Sequence, residues 1–191
     1  TVRRASIVPG PNYPMVELSA LGPSLSSAAN AISDTAIIVG SSETLSTAIS
    51  PIGPRPTRAV LWTPASVAIV NLGTLRNSDT SSEALGVNDA GWVVGWSGTP
   101  SNAVAPSTSP NLSPSARRGT RAFLWIEGTM HDLTSLIPPN SGWVLHVASD
   151  VNEQGQIVGW GSRVSSSVTA ASQVRAFLLT PVPLDADSQT P

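Results

Sequence analysis

The sequence predicts an all-β repeat fold, and three features of its 191 residues carry that prediction. A hairpin pattern ending in Val-Gly recurs three times along the chain. A strand opening on Arg-Ala recurs beside it. The apolar runs, such as Ala36–Val39 and Trp92–Val94, are short and β-branched. Recurrence of this kind signals stacked supersecondary units, none of which can bury its apolar face alone.

The hairpin block covers Ala29–Gly40, Ala84–Gly95 and Ala148–Gly159. Its shared pattern is Ala-x-x-Val/Ile-Asn-x-x-Gly-x-Val/Ile-Val-Gly. A β-branched strand runs into Asn, whose side chain bonds its own backbone and starts a turn. Gly three residues later suits the left-handed position that closes a type I turn with a bulge. A second strand follows, and its terminal Gly marks a bend or a close backbone approach. The first copy carries Ser33 for Asn and Ala36 for the turn Gly. A left-handed Ala costs about 1 kcal/mol, which predicts a different turn form there.

The Arg-Ala strand reads Arg58–Trp62, Arg121–Trp125 and Arg175–Leu179, with a degenerate copy at Arg4–Val8. An apolar-polar-Leu block follows three of these, at Met15–Leu21, Ile69–Leu75 and Met130–Leu136. Four short strands per unit, with a turn signal every 8 to 15 residues, is the cadence of a β-propeller blade. The fold expected is β-propeller-like, with about three four-stranded antiparallel blades plus one extra C-terminal strand. Residues 1–183 read as one repeat domain with units near 4–40, 58–95 and 121–159 and a final strand at 175–180. Residues 184–191 form a polar tail. The units differ mainly in the loop before each Arg, and the longest, Trp96–Thr120, is rich in Ser, Pro and Asn.

These blocks closely resemble the HAF repeat, named for a His-Ala-Phe at the start of its third strand, here Arg-Ala-Phe or Arg-Ala-Val. Ser141–Leu145 leading into Ala148–Gly159 is similar to the last repeat of such proteins, and Arg175–Pro183 to their C-terminal end. The resemblance covers about Arg4 to Pro183. It implies an exported bacterial protein with a propeller-like fold and no assigned chemistry. Many members carry a C-terminal sorting anchor. The polar tail from Leu184 to Pro191 reads as a chain in which that anchor is absent or removed.

Composition agrees with a place outside the cell. Charged residues are only 12% of the chain, about half the usual share. Ser and Thr fill roughly a quarter of positions, a hydroxyl-rich surface that also offers O-glycosylation positions. All ten basic residues are Arg. The formal net charge of -2 gives no electrostatic footprint for nucleic acid. With no Cys there is no disulfide, thiolate metal site or Cys nucleophile. No apolar run approaches the ~18 residues of a membrane span. No signal peptide is visible, and a chain beginning at Thr1 reads as a form whose targeting segment is gone.

No constellation points to catalysis. His131 lies beside Asp132 where the other copies have Val70 and Val16, so it reads as an ordinary strand residue. No Gly-x-Ser-x-Gly elbow occurs. Asp150–Gly155 resembles the start of a calcium loop, but Gly86 and Ala31 replace Asp150 in the other copies, so turn formation explains it without a metal. The six Trp residues, recurring as Trp62 and Trp125 and as Trp96 and Trp160, predict inter-sheet packing rather than a sugar platform. The recurrent Arg predicts bonds to backbone carbonyls of a neighbouring sheet. Asn111-Leu112-Ser113 is a lone N-glycosylation sequon.

The function expected is therefore non-enzymatic, with no cofactor and no metal: an extracellular or cell-surface structural protein that self-assembles. Three units are too few to close a propeller, which usually needs four or more blades. Partner copies would then complete the sheets, as a closed dimer or as a filament, or the chain is one piece of a longer protein. Arg175, Ala176, Phe177, Leu178 and Leu179 are the candidate assembly strand. The alternative is a propeller module that binds surface glycans or another ligand.

Overall fold

In the computed structural model the chain is all-β, and the structure describes residues 6–7, 15–45, 55–63, 66–99, 119–163 and 173–182. Arg4, the Asn111 sequon and the 184–191 tail lie outside the described residues. The strands are β1 (Ser6–Ile7), β2 (Val16–Glu17), β3 (Ser27–Ile32), β4 (Ile38–Glu43), β5 (Thr57–Thr63), β6 (Ser66–Gly73) and β7 (Ser81–Val87). They continue as β8 (Val93–Gly98), β9 (Thr120–Ile126), β10 (Thr129–Asp132), β11 (Trp143–Val151), β12 (Ile157–Arg163) and β13 (Gln173–Leu179), with a 3-10 turn at Leu133–Leu136.

They form three successive antiparallel sheets, β3-β4-β5-β6, β7-β8-β9-β10 and β11-β12-β13, and a small β1-β2 pair. The hairpin block supplies the first two strands of each sheet, and the Arg-Ala strand the third. Sequence repetition fixed the period but not the phase. Residues 58–95 supply β5 and β6 to one sheet and β7 and β8 to the next. The C-terminal strand is likewise not an extra one: β13 is the third strand of the last sheet, which has no fourth among the described residues.

All three hairpin turns have one geometry. The amide of Ala36, Gly91 or Gly155 donates to the carbonyl of Ser33, Asn88 or Asn152, three residues back. The side-chain oxygen of Asn88 accepts from the Trp92 amide at 2.9 Å, and that of Asn152 from Gln156 at 2.8 Å. Ser33 does the same work, its Oγ accepting from Ile37 at 3.3 Å. Ala36 adopts the left-handed conformation with φ 61°, like Gly91 at 77° and Gly155 at 72°. The different turn expected for the first copy therefore does not occur, because a strain of about 1 kcal/mol is small beside the sheet that the turn closes.

The Gly that ends each pattern marks a close approach. A Cβ on Gly40, Gly95 or Gly159 would lie 1.9, 2.0 or 2.1 Å from the carbonyl oxygen of Ala28, Glu83 or Val147 on the paired strand. Each first strand also bulges at one equivalent place, between Ala29 and Ala31, Ala84 and Gly86, and Ala148 and Asp150. A bulge shifts the alternation of faces by one residue. It is what lets Ala84 and Val87, three apart, enter the same core cluster, as Ala148 and Val151 do in the next sheet.

The core is made between sheets. Val39, Ala59 and Leu61 of the first sheet meet Ala84, Val87, Val93 and Phe123 of the second. Val94, Ala122 and Leu124, on the second sheet's other face, meet Leu145, Ala148, Val151 and Ile157 of the third. Ahead of the first sheet, Leu18 beyond β2 covers Ile38, Val60 and Trp62. The first strand of each later sheet, β7 or β11, rests on the second and third strands of the sheet before it.

Candidate assembly surface

The third sheet has the same strand chemistry as the first two, but its outer face is bare. Val39, Val94 and Val158 occupy one position of the second strand, and their exposures are 0, 0 and 43%. Leu61, Leu124 and Leu178 occupy one position of the third strand, at 7, 8 and 60%. Ala59 and Ala122 are buried, while Ala176 is exposed. In the first two sheets this face is covered by the leading strand of the next sheet; nothing among the described residues follows the third.

The opposite end of the stack is the mirror case. Val87 and Val151 on the leading strands β7 and β11 are 7 and 5% exposed, whereas Ile32 on β3 is 56% exposed. Ala84 and Ala148 are buried and Ala29 is exposed. Two surfaces that meet twice inside the chain are thus each exposed once among the described residues, one at either end of the stack.

The five residues of the expected assembly strand lie on β13. They pair with β12 from Arg175 opposite Gly161 to Leu179 opposite Ile157. Phe177 and Leu179 turn inward and pack on the cluster between the second and third sheets. Ala176 and Leu178 belong to the bare face. Beside the strand lies a cavity of about 390 Å³, lined among others by Ile137, Pro138, Trp143, Phe177, Leu178 and Leu179. Strand β10 runs along the equivalent flank of β9 in the second sheet.

The recurrent Arg is structural where its sheet is complete. Nη1 of Arg58 donates to the carbonyls of Thr57 at 2.9 Å and of Thr80, just before β7, at 2.7 Å. Arg121 lies 3.7 Å from Asp132, which also accepts from the Thr134 amide and so caps the 3-10 turn. Among the described residues Arg175 bonds locally, to the Val174 carbonyl and the Gln173 side chain.

Trp residues pack between sheets. Trp62 is fully buried and donates to the Ser19 carbonyl at 2.9 Å. Trp96 joins Val147 and Trp160 in a separate cluster and donates to Glu83 at 3.2 Å. The calcium-like segment uses its oxygens on the backbone: Asp150 accepts from the Val151 amide, and Asn152 from Gln154 and Gln156. Among the described residues no cluster of three acidic or imidazole groups could hold a metal.

Sequence reasoning passed over His146. It is nearly buried on β11, with Nδ1 3.1 Å from the Thr120 carbonyl, Nε2 2.9 Å from Ser162 Oγ, and its ring 5.6 Å from that of Trp160. A Ser-His pair oriented by a carbonyl has the connectivity of a nucleophile and its base. Here, however, it ties β11 to β9 and β12, and the cavity described above does not include it. His131 lies half-buried on β10 opposite Leu124. No helix among the described residues is long and apolar enough to cross a membrane. No protein-family model, curated protein or solved structure matches this chain.

Proposed function

We propose that the protein is a non-enzymatic, extracellular structural module that assembles by adding copies of itself to the two open ends of its sheet stack. The observation that carries this reading is the pair of end faces. Side chains buried at two internal junctions are exposed at the third equivalent position, at Leu178 and Val158 on one end and Ile32 on the other. Contiguous exposed apolar surface of this kind marks an interaction site. The two ends differ, so the contact is heterologous; it gives a ring if the rotation closes and a filament if it does not.

Two copies bring twice three, or six, sheets, a number within the usual range for a closed propeller. The resemblance to HAF repeats and the Ser/Thr-rich, charge-poor composition support an exported bacterial protein. Sedimentation over a concentration series, with negative-stain microscopy of the same samples, is the test. Rings of two copies or longer fibres are expected, and both are lost when Arg175–Pro191 is deleted. A monomer that persists to high concentration refutes the proposal.

A glycan-binding module is the second reading, favoured by Trp143 on the wall of the cavity beside β13. It predicts Trp fluorescence quenching by added sugars with no change in mass.

A further inference from the structure

We infer that two copies join by strand exchange, β13 of one copy taking the place of β1 in the next and pairing with its β2. This rests on the self-assembly reading above and names its contact. The first support is that the chain carries the third strand type once too often at its ends. By type the β1-β2 pair is a third and fourth strand, with no first or second beside it among the described residues. The last sheet, β11-β12-β13, has first, second and third strands and no fourth among the described residues. One copy of the third strand must be displaced for the two fragments to make a single four-stranded sheet.

The register is already set. Leu61 pairs with Val70 and Leu124 with His131, which are equivalent positions of the third and fourth strands. At β1 the equivalent pair is Ile7 with Val16, and Ser6 with Glu17. Strand β13 arriving on β2 would put Leu178 opposite Val16 and Phe177 opposite Glu17, with no shift in register. The incoming strand is the more apolar one: Ser6 of β1 stands where Phe177, Phe123 and Val60 stand elsewhere. An incoming strand that brings apolar side chains to the same register gains burial while keeping the main-chain pairing.

The neighbouring surfaces fit the same placement. With β2 seated on β13, Leu18 is positioned between the last sheet of one copy and the first sheet of the next, as Leu72 and Leu133 are at the internal junctions. Ile32 and Ala29 of β3 then face Val158, Ala176 and Leu178, repeating the contact that β7 and β11 make. The turn tips follow as well. Asp89 accepts from the Thr35 amide at 2.8 Å and Glu153 from the Asp89 amide at 3.0 Å, each from the sheet before. Asp34 holds the same turn position and would meet the Glu153 turn of the preceding copy.

The chain has no Cys, so engineered cysteines report without background. Ile7→Cys with Val16→Cys ties β1 to β2 within one copy of the 191-residue chain when oxidised. The oxidised protein is expected to sediment as a monomer, and reduction to restore wild-type assembly. Mixing two single variants, Leu178→Cys and Val16→Cys, is expected to give a disulfide-linked pair at least tenfold above either variant alone. If the oxidised double variant assembles as the wild type does, or the mixed variants do not cross-link within particles that form, strand exchange is wrong while self-assembly stands. If neither the wild type nor the reduced variant assembles, both fall together.

Discussion

The second and third sheets are close copies in sequence and opposites in environment. Val94 and Leu124 are sealed beneath β11, while Val158 and Leu178, at the same strand positions, face outward. What an apolar residue contributes in such a molecule depends on whether another sheet follows it. Strand formation itself does not, since β12 and β13 pair in the same register as β8 and β9. The two sheets separate the energetics of pairing from the energetics of stacking.

The harshest way to test that separation is a change that acts within a sheet. Gly95→Ala and Gly159→Ala both drive a Cβ into a backbone carbonyl of the paired strand. Both should lose at least about 3 kcal/mol, at the upper end of single substitutions, in thermal or denaturant unfolding followed by circular dichroism. A mild Gly159→Ala would break the comparison, because this clash does not depend on what covers the sheet.

Next in size is a pair that should differ. Leu124→Ala empties a sealed site and should cost about 2–5 kcal/mol. Leu178→Ala on the bare face should change monomer stability by no more than about 0.5 kcal/mol, while weakening assembly. Denaturant titrations at low protein concentration measure the first effect, and sedimentation at high concentration the second. Equal losses in the dilute monomer would mean that the outer face is covered after all.

Smaller effects sharpen the comparison at the turns. Ala36→Gly removes a left-handed Ala and should gain less than about 1 kcal/mol, because glycine loses more backbone entropy on folding. Gly91→Ala should lose about 1 kcal/mol, since its Cβ would meet nothing nearer than Ile37 at 3.8 Å. A differential melt of the two variants checks both signs.

The smallest effect is electrostatic. The Thr35 amide bonded to Asp89 holds that half-buried carboxyl below its ordinary value of 3.8. A lowered carboxyl stabilises the fold above its unfolded value and loses that contribution as pH falls through the folded one. The melting-temperature gap between wild type and Asp89→Asn should therefore be present at pH 5 and close on acidification below about 3.8. A gap that is unchanged at pH 2 would assign the effect to packing.

Local chemistry was readable from the residues. Asn88 and Asn152 with Gly91 and Gly155 specified hairpin turns because each needs only its own backbone, and the Gly of Val-Gly announced a close approach that a side chain would block. The bulge at Leu85 and its equivalents left no mark in the pattern, since the residues there are Asn30, Leu85 and Ser149, with nothing in common. His146 escaped for a different reason: it has no counterpart in the other units, and its partners Thr120 and Ser162 lie 26 and 16 residues away.

The sequence by itself determined that this protein is made of strands, how many types there are, and which residues turn between them. Those choices follow from φ/ψ preference and side-chain alternation over a few residues. Only the tertiary structure decided which strands share a sheet and which faces are covered. The same Val and Leu can be core or surface, and the difference lies in whether a neighbouring sheet excludes water from them.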